Sequence, residues 1–182
     1  FVVPTAQTKQ DLVQLGLPDR KIKVLGIPID PKFAITQDKI SAKQRMKLNP
    51  WLPTILVMGG SQGLGPLDKV IKQLAEVRMP IQTIVICGTN RKLRRKMKRK
   101  TFRFGSSIRI MGYTNNIDKV MDACDLIITK PGGMTSSEAL AKNLPMIIIN
   151  PIPGQEEKNS QFLCKHHVAI RLDDITNLQQ VI

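Results

Sequence analysis

The feature that most constrains this chain is an alternation. Short β-branched runs recur, and each gives way to a turn and then to a stretch of helical character. The expected strands are Thr54–Met58 (TILVM), Ile81–Cys87 (IQTIVIC), Ile108–Met111 (IRIM), Asp125–Thr129 (DLIIT) and Pro145–Asn150 (PMIIIN). They read as continuous apolar stretches, the pattern of strands buried on both faces of a parallel sheet. Between them lie expected helices over Pro66–Val77, Arg91–Lys100, Ile117–Ala123 and Thr135–Lys142, and another begins near Gln155. Strand–helix–strand repeated this often predicts an α/β fold, a doubly wound parallel sheet with right-handed crossovers.

Residues 1–50 fit less cleanly. Val2–Val3 and Lys23–Leu25 read as short strands and Thr8–Leu15 as a helix, before Gly26–Asp30–Pro31 breaks the pattern. We take 1–50 as an approach segment and 51–182 as the α/β domain proper.

Several classes fall away at once. The longest apolar runs are far short of the ~20 residues that span a bilayer. The amino terminus, FVVPTAQTKQ, lacks the charged-then-apolar layout of a secretory signal. Cys87, Cys124 and Cys164 are odd in number and form no CxxC, so neither a disulfide framework nor a zinc site is indicated. Reduced thiols in the cytoplasm are expected. His166 and His167 fit no nucleophile or metal arrangement and read as surface residues of a helix end. Trp51, between prolines, reads as packing or interface.

Three segments carry candidate chemistry. Gly59-Gly60-Ser61-Gln62-Gly63-Leu64-Gly65 follows TILVM and precedes a helix opened by Pro66. Glycines there let a ligand approach the backbone, and free N–H groups at a helix start attract anions. The spacing is not GxGxxG, and no acid ends the next strand, which argues against a nicotinamide cofactor. No GxxxxGK[ST] phosphate loop is present either. A tight turn needing positive φ is the other reading of these glycines.

The second segment, Thr129-Lys130-Pro131-Gly132-Gly133-Met134-Thr135-Ser136-Ser137-Glu138, is a strand end, a turn and a helix start. Thr135, Ser136 and Ser137 are expected to cap that helix, with Glu138 three residues after Thr135 as in a capping box. Either Glu138 only caps, or its carboxylate accepts two hydrogen bonds from a ribose diol. Two Gly-rich helix starts on one sheet edge suit a diphosphate. In the third segment, after PMIII, Gln155 and Glu156 are either a solvated helix start or partners for sugar hydroxyls.

Together these residues resemble the C-terminal, donor-binding half of a GT-B glycosyltransferase of family 28, in its glycolipid branch of diacylglycerol glucosyltransferases and monogalactosyldiacylglycerol synthases. Asp125–Asn159 carries the likeness most specifically, and GGSQG at 59–63, VICGTN at 85–90 and MGYTNNI at 111–117 agree in order. The resemblance implies a Rossmann-like fold and a UDP-sugar donor, UDP-galactose or UDP-glucose, used without a metal by an inverting hexosyltransferase acting on diacylglycerol. By position, Gly132, Gly133, Thr135 and Ser136 would serve the diphosphate and Glu138 the ribose. Gln155 and Glu156 would hold the sugar, and backbone groups at Tyr113 and Thr114 would read the uracil edge. Gly60, Ser61 and Gly63 would face the phosphates or an interdomain cleft. Asp30 stands where relatives commonly carry an arginine and receives no role. The acceptor-binding domain, expected to supply the general base, is not in this sequence, so the resemblance implies half an enzyme completed in cis or in trans. A non-catalytic nucleotide-sugar-binding or regulatory module is the alternative.

Charge adds one more expectation. Nine of the net +14 charges fall between Arg91 and Arg103 (RKLRRKMKRKTFR), leaving +5 for the rest. This run is a solvated helix face, a membrane-surface patch or, least favoured, a nucleic-acid patch, since no recognition module accompanies it. A glycolipid synthase must reach a substrate held in the bilayer. We therefore expect Arg94, Arg95, Lys98 and Arg99 to face anionic lipid, with Leu93, Met97, Phe102 and Phe104 dipping into the interface, on the cytoplasmic side of a membrane.

Overall fold

The computed structural model describes residues 1–99 and 107–182. The chain divides into two compact units, Phe1–Pro31 and Lys32–Ile182. In the smaller, β1 (Val2–Val3) and β2 (Lys23–Val24) pair in parallel, with α1 (Ala6–Gln14) between them in sequence. Thr5 starts α1 by accepting the Thr8 N–H at 3.1 Å.

The larger unit contains α2 (Lys39–Arg45) and then the alternating series. This runs β3 (Thr54–Met58), α3 (Leu67–Ala75), β4 (Gln82–Ile86), α4 (Arg91–Arg99), β5 (Ser107–Met111) and α5 (Ile117–Asp122). It continues through β6 (Leu126–Thr129), α6 (Gly133–Ala141), β7 (Met146–Ile149), α7 (Gln155–Lys165), β8 (Ala169–Leu172) and α8 (Leu178–Val181). Residues 32–50, grouped by sequence with the approach segment, belong to this unit. Its six strands are all parallel, in the order β5–β4–β3–β6–β7–β8.

The central strands are buried on both faces, as their apolar runs require: Leu56, Val57, Ile84, Val85, Ile127, Ile128 and Ile148 have no exposed surface. The edges differ, because β5 is only half-buried and β8 exposes Ile170 and Arg171. On α3, Leu67, Val70, Ile71 and Leu74 recur with helical spacing and are fully buried against the sheet. Each such side chain contributes about 1.5–3 kcal/mol. Met97 of α4 is equally buried and Leu93 packs on the same core, so neither dips into a lipid interface. Lys100, Phe102, Arg103 and Phe104 lie outside the described residues. Trp51 is 79% exposed, which overturns a packing role within this chain.

The amino-terminal edge of the sheet is closed by its own polar groups. Asp125, just before β6, accepts from Lys43 at 2.7 Å, Lys39 at 2.9 Å and the Thr54 N–H at 2.8 Å. Burial alone would raise this carboxyl, but those hydrogen bonds outweigh it and hold the pKa below its ordinary value. Gln82 and Asn49 exchange two hydrogen bonds beside it, at 2.7 and 2.8 Å.

Candidate functional site

Register decides which loops meet. Met58 pairs with Ile86 on one side and Thr129 on the other, Ile86 with Met111, and Thr129 with Ile148. The carboxyl ends of β5, β4, β3, β6 and β7 are therefore level. The loops leaving them share one edge, and the binding residues expected from sequence lie in these loops or in the helices α6 and α7 that follow. The chain first winds from β3 outward to β5, then crosses back to β6 on the other side of β3. In doubly wound folds the crevice at such a reversal is the ligand site. Here the reversal falls between β3 and β6, which are followed by Gly59–Gly65 and Lys130–Gly133.

The first of these turns is shaped largely by the chain itself. A Cβ at Gly59 would stand 1.8 Å from the Leu64 carbonyl oxygen, and one at Gly63 (φ +60°) 2.2 Å from the Cys87 carbonyl oxygen. The turn is packed onto the β4–α4 loop, where the Ser61 carbonyl accepts the Thr89 N–H at 2.9 Å. Tight packing thus accounts for Gly63. Around Gly60 a Cβ would meet nothing within 4 Å, and Ser61 is exposed.

The second turn corrects the expected cap. Gly132 is the N-cap of α6, no side chain caps this end, and Thr135 lies inside the first turn. Glu138 stands a turn further along, so no capping box forms. A Cβ at Gly132 would meet nothing within 4 Å although its φ is an ordinary −68°. Neither conformation nor crowding requires glycine here. Among the described residues no side chain caps this helix start, an arrangement that favours an anion. Ser136, 5% exposed, has a buried hydroxyl with no hydrogen-bond partner among the described residues.

Sequence reasoning missed Lys130. This lysine is 6% exposed and its ammonium lies 3.0 Å from Glu156 Oε2. Its stem runs beside Gly65, where a Cβ would stand 3.6 Å from Lys130 Cδ. Glu156 Oε2 also accepts the Ile152 N–H at 2.8 Å, and Asn159 donates to the Pro131 carbonyl at 2.9 Å. One buried cation thus ties together the loops after β3, β6 and β7. Among its signals only the position, directly after a core strand and before Pro-Gly-Gly, was visible in the sequence.

Gln155 is exposed at the first turn of α7, next to Glu156. Tyr113 is 62% exposed, and the Thr114 hydroxyl accepts the Asn116 N–H at 3.2 Å. Of the α4 cations, Arg95, Lys98 and Arg99 are exposed, and Lys96 pairs with Asp68 of α3 at 2.7 Å. Arg94 leans over Gly112. His166 and His167 are exposed at the end of α7, His166 against Phe162 with ring centroids 4.4 Å apart. Among the described residues no group of three His, Cys, Asp or Glu converges. Nor is any of their helices long and apolar enough to cross a membrane.

The strand reversal in a parallel sheet with helices between successive strands places this chain in the doubly wound class of α/β domains. Within that class, the chain belongs to the family described as the glycosyltransferase family 28 C-terminal domain, whose profile matches residues 54–182. It is 40% identical over 163 residues to a processive diacylglycerol beta-glucosyltransferase of Staphylococcus epidermidis, covering 89% of this chain and 41% of that protein. The chain therefore spans less than half the length of that relative. The structure of WaaG, a glycosyltransferase involved in lipopolysaccharide biosynthesis, matches with TM-score 0.66 at 16% identity, covering 99% of this chain and 51% of that one. Anabaena HepE in complex with UDP-glucose matches with TM-score 0.61 at 16% identity, covering 99% and 52%. These likenesses show a common fold, and the expected doubly wound architecture is present.

Proposed function

We propose that this chain binds the UDP portion of a UDP-sugar, UDP-glucose or UDP-galactose. In the whole protein it forms the donor half of an inverting, metal-independent hexosyltransferase that glycosylates diacylglycerol. The observation that carries the reading is the uncapped start of α6 beside the buried Lys130. Together they supply fixed positive charge where the departing diphosphate develops negative charge, the electrostatic logic of an oxyanion hole. Gly132, Gly133, Thr135 and Ser136 take the diphosphate, with Gly60 and Ser61 along its other side. Glu138 takes the ribose diol, Gln155 and Glu156 the sugar, and the backbone at Tyr113 and Thr114 the base. The relative's name supports the acceptor, and the UDP-glucose complex of a protein of like fold supports the donor. The remainder of the protein supplies the acceptor site and the general base. Arg95, Lys98 and Arg99, all exposed, rest on anionic lipid at the cytoplasmic face and hold the enzyme peripherally.

Calorimetry tests the donor site. UDP should bind, and Lys130→Met should weaken it tenfold or more, the scale of one charge-assisted contact. Gln155→Ala should weaken UDP-glucose while leaving UDP unchanged, because its partner is a sugar hydroxyl. Failure of UDP to bind, or an unaltered affinity in a folded Lys130→Met, would remove this reading.

A further inference from the structure

Arg94, expected from sequence in a lipid-facing row, has a side chain that reaches over Gly112. It stands in the first turn of α4, its N–H bonded to the Asn90 carbonyl at 3.0 Å, close to where α4 leaves the carboxyl edge of β4. From there it reaches the neighbouring strand. A Cβ on Gly112 would stand 3.3 Å from Arg94 Nη1 and 3.5 Å from both Cδ and Cζ. The guanidinium therefore occupies the place a side chain at 112 would fill, and Gly112 is the residue that makes room for it.

Its charge is unspent. Lys96, two residues on, is paired with Asp68, whereas the Arg94 guanidinium has no carboxylate or carbonyl partner among the described residues. The field of Arg94 pulls against the rise that burial imposes on the Cys87 thiol, which places the charge over the ends of β4 and β5. Immediately beyond Gly112 come Tyr113 and Thr114.

We propose that Arg94 selects the base of the donor nucleotide. Its guanidinium donates to a carbonyl oxygen of the pyrimidine held against the backbone of residues 112–114. A guanidinium has only donors. Uracil presents a carbonyl at its 4-position, whereas cytosine presents an amino group there, so the same contact that attracts one base repels the other. This rests on the proposed UDP site, since it assumes that the base lies over that loop.

The experiment compares UDP with CDP by calorimetry on the unaltered protein, Arg94→Met and Arg94→Lys, with binding to phosphatidylglycerol vesicles measured alongside. The unaltered protein should prefer UDP. Arg94→Met should lose about tenfold in UDP affinity and little for CDP, collapsing the ratio. Arg94→Lys, which keeps a donor but not the planar fork, should fall between. Melting temperatures should stay together, because the side chain is exposed. Equal losses for UDP and CDP would assign Arg94 to the shared phosphates and overturn the proposal. So would unchanged UDP affinity with weaker vesicle binding, which would return Arg94 to the lipid-facing row. If the unaltered protein binds neither nucleotide, the donor-site reading itself has failed, and the first arm shows this by itself.

Discussion

The two edges of the larger unit's sheet differ in how far particular polar groups answer one another. At the amino-terminal edge, Asp125, Lys43, Lys39, Gln82 and Asn49 answer one another, and Asp125 accepts three donors. At the carboxyl-terminal edge, α6 starts without a side-chain cap, the Ser136 hydroxyl is buried without a partner among the described residues, and Gly132 faces open space. Groups satisfied among themselves contribute to stability. Groups left unanswered at a helix start are free to answer a ligand. The carboxyl edge is not uniform, however, since Gly59 and Gly63 are held by packing as firmly as anything on the opposite edge.

The contrast can be broken most severely at Gly63. Gly63→Ala forces a Cβ against the Cys87 carbonyl at a left-handed φ, and should cost about 3 kcal/mol or more in denaturant unfolding. A variant of normal stability would mean that the two loops are not locked.

At the opposite edge, Asp125→Asn should cost about 2 kcal/mol, because it leaves the buried Lys43 without its charged acceptor. It also has a pH signature. The folded carboxyl titrates below its ordinary 3.8, so its stabilising effect is full above that value and fades as pH falls through the folded pKa. Unfolding measured from neutral to acid pH should show that decline in the unaltered protein and a weaker one in Asp125→Asn. Parallel curves would count against the network.

Gly132→Ser should have the smallest effect on stability and the sharpest meaning. A serine at this N-cap can accept from the helix N–H groups, so stability should hold or rise by a few tenths of a kcal/mol. UDP affinity should nevertheless fall about tenfold, because the hydroxyl then occupies the anion's place. Undiminished UDP binding in this variant would show that the open space at Gly132 is not the diphosphate site.

The central sheet was legible because β3, β4, β6 and β7 are buried on both faces and so must be written almost wholly in apolar residues. β8 was not, since an edge strand reading Ala-Ile-Arg-Leu needs only one covered face and leaves no continuous run. Two of the three candidate segments stood out through glycine and the third through Gln155 and Glu156, but glycine alone did not separate Gly63, fixed by a neighbouring carbonyl, from Gly132, which has no neighbour there. Capping was misread because Thr135, Ser136 and Ser137 are good cap residues, yet the helix starts earlier, at Gly133. Lys130 was hidden for a physical reason. A long cationic side chain reads as solvated until the fold shows where its end comes to rest, and for Lys130 that end lies on a residue 26 positions later.

The pairing of Lys130 with Glu156 carries a consequence for the proposed reaction. A buried ammonium standing alone at a phosphate site would grip spent nucleotide and slow its departure. This chain carries its own counter-ion instead. At the proposed donor site, a diphosphate arriving at α6 would share the lysine with Glu156, and on its departure the carboxylate would already be in place to take the charge back. The ammonium would then never be left bare, and product release in the proposed reaction would be an exchange of anions rather than the exposure of an isolated charge.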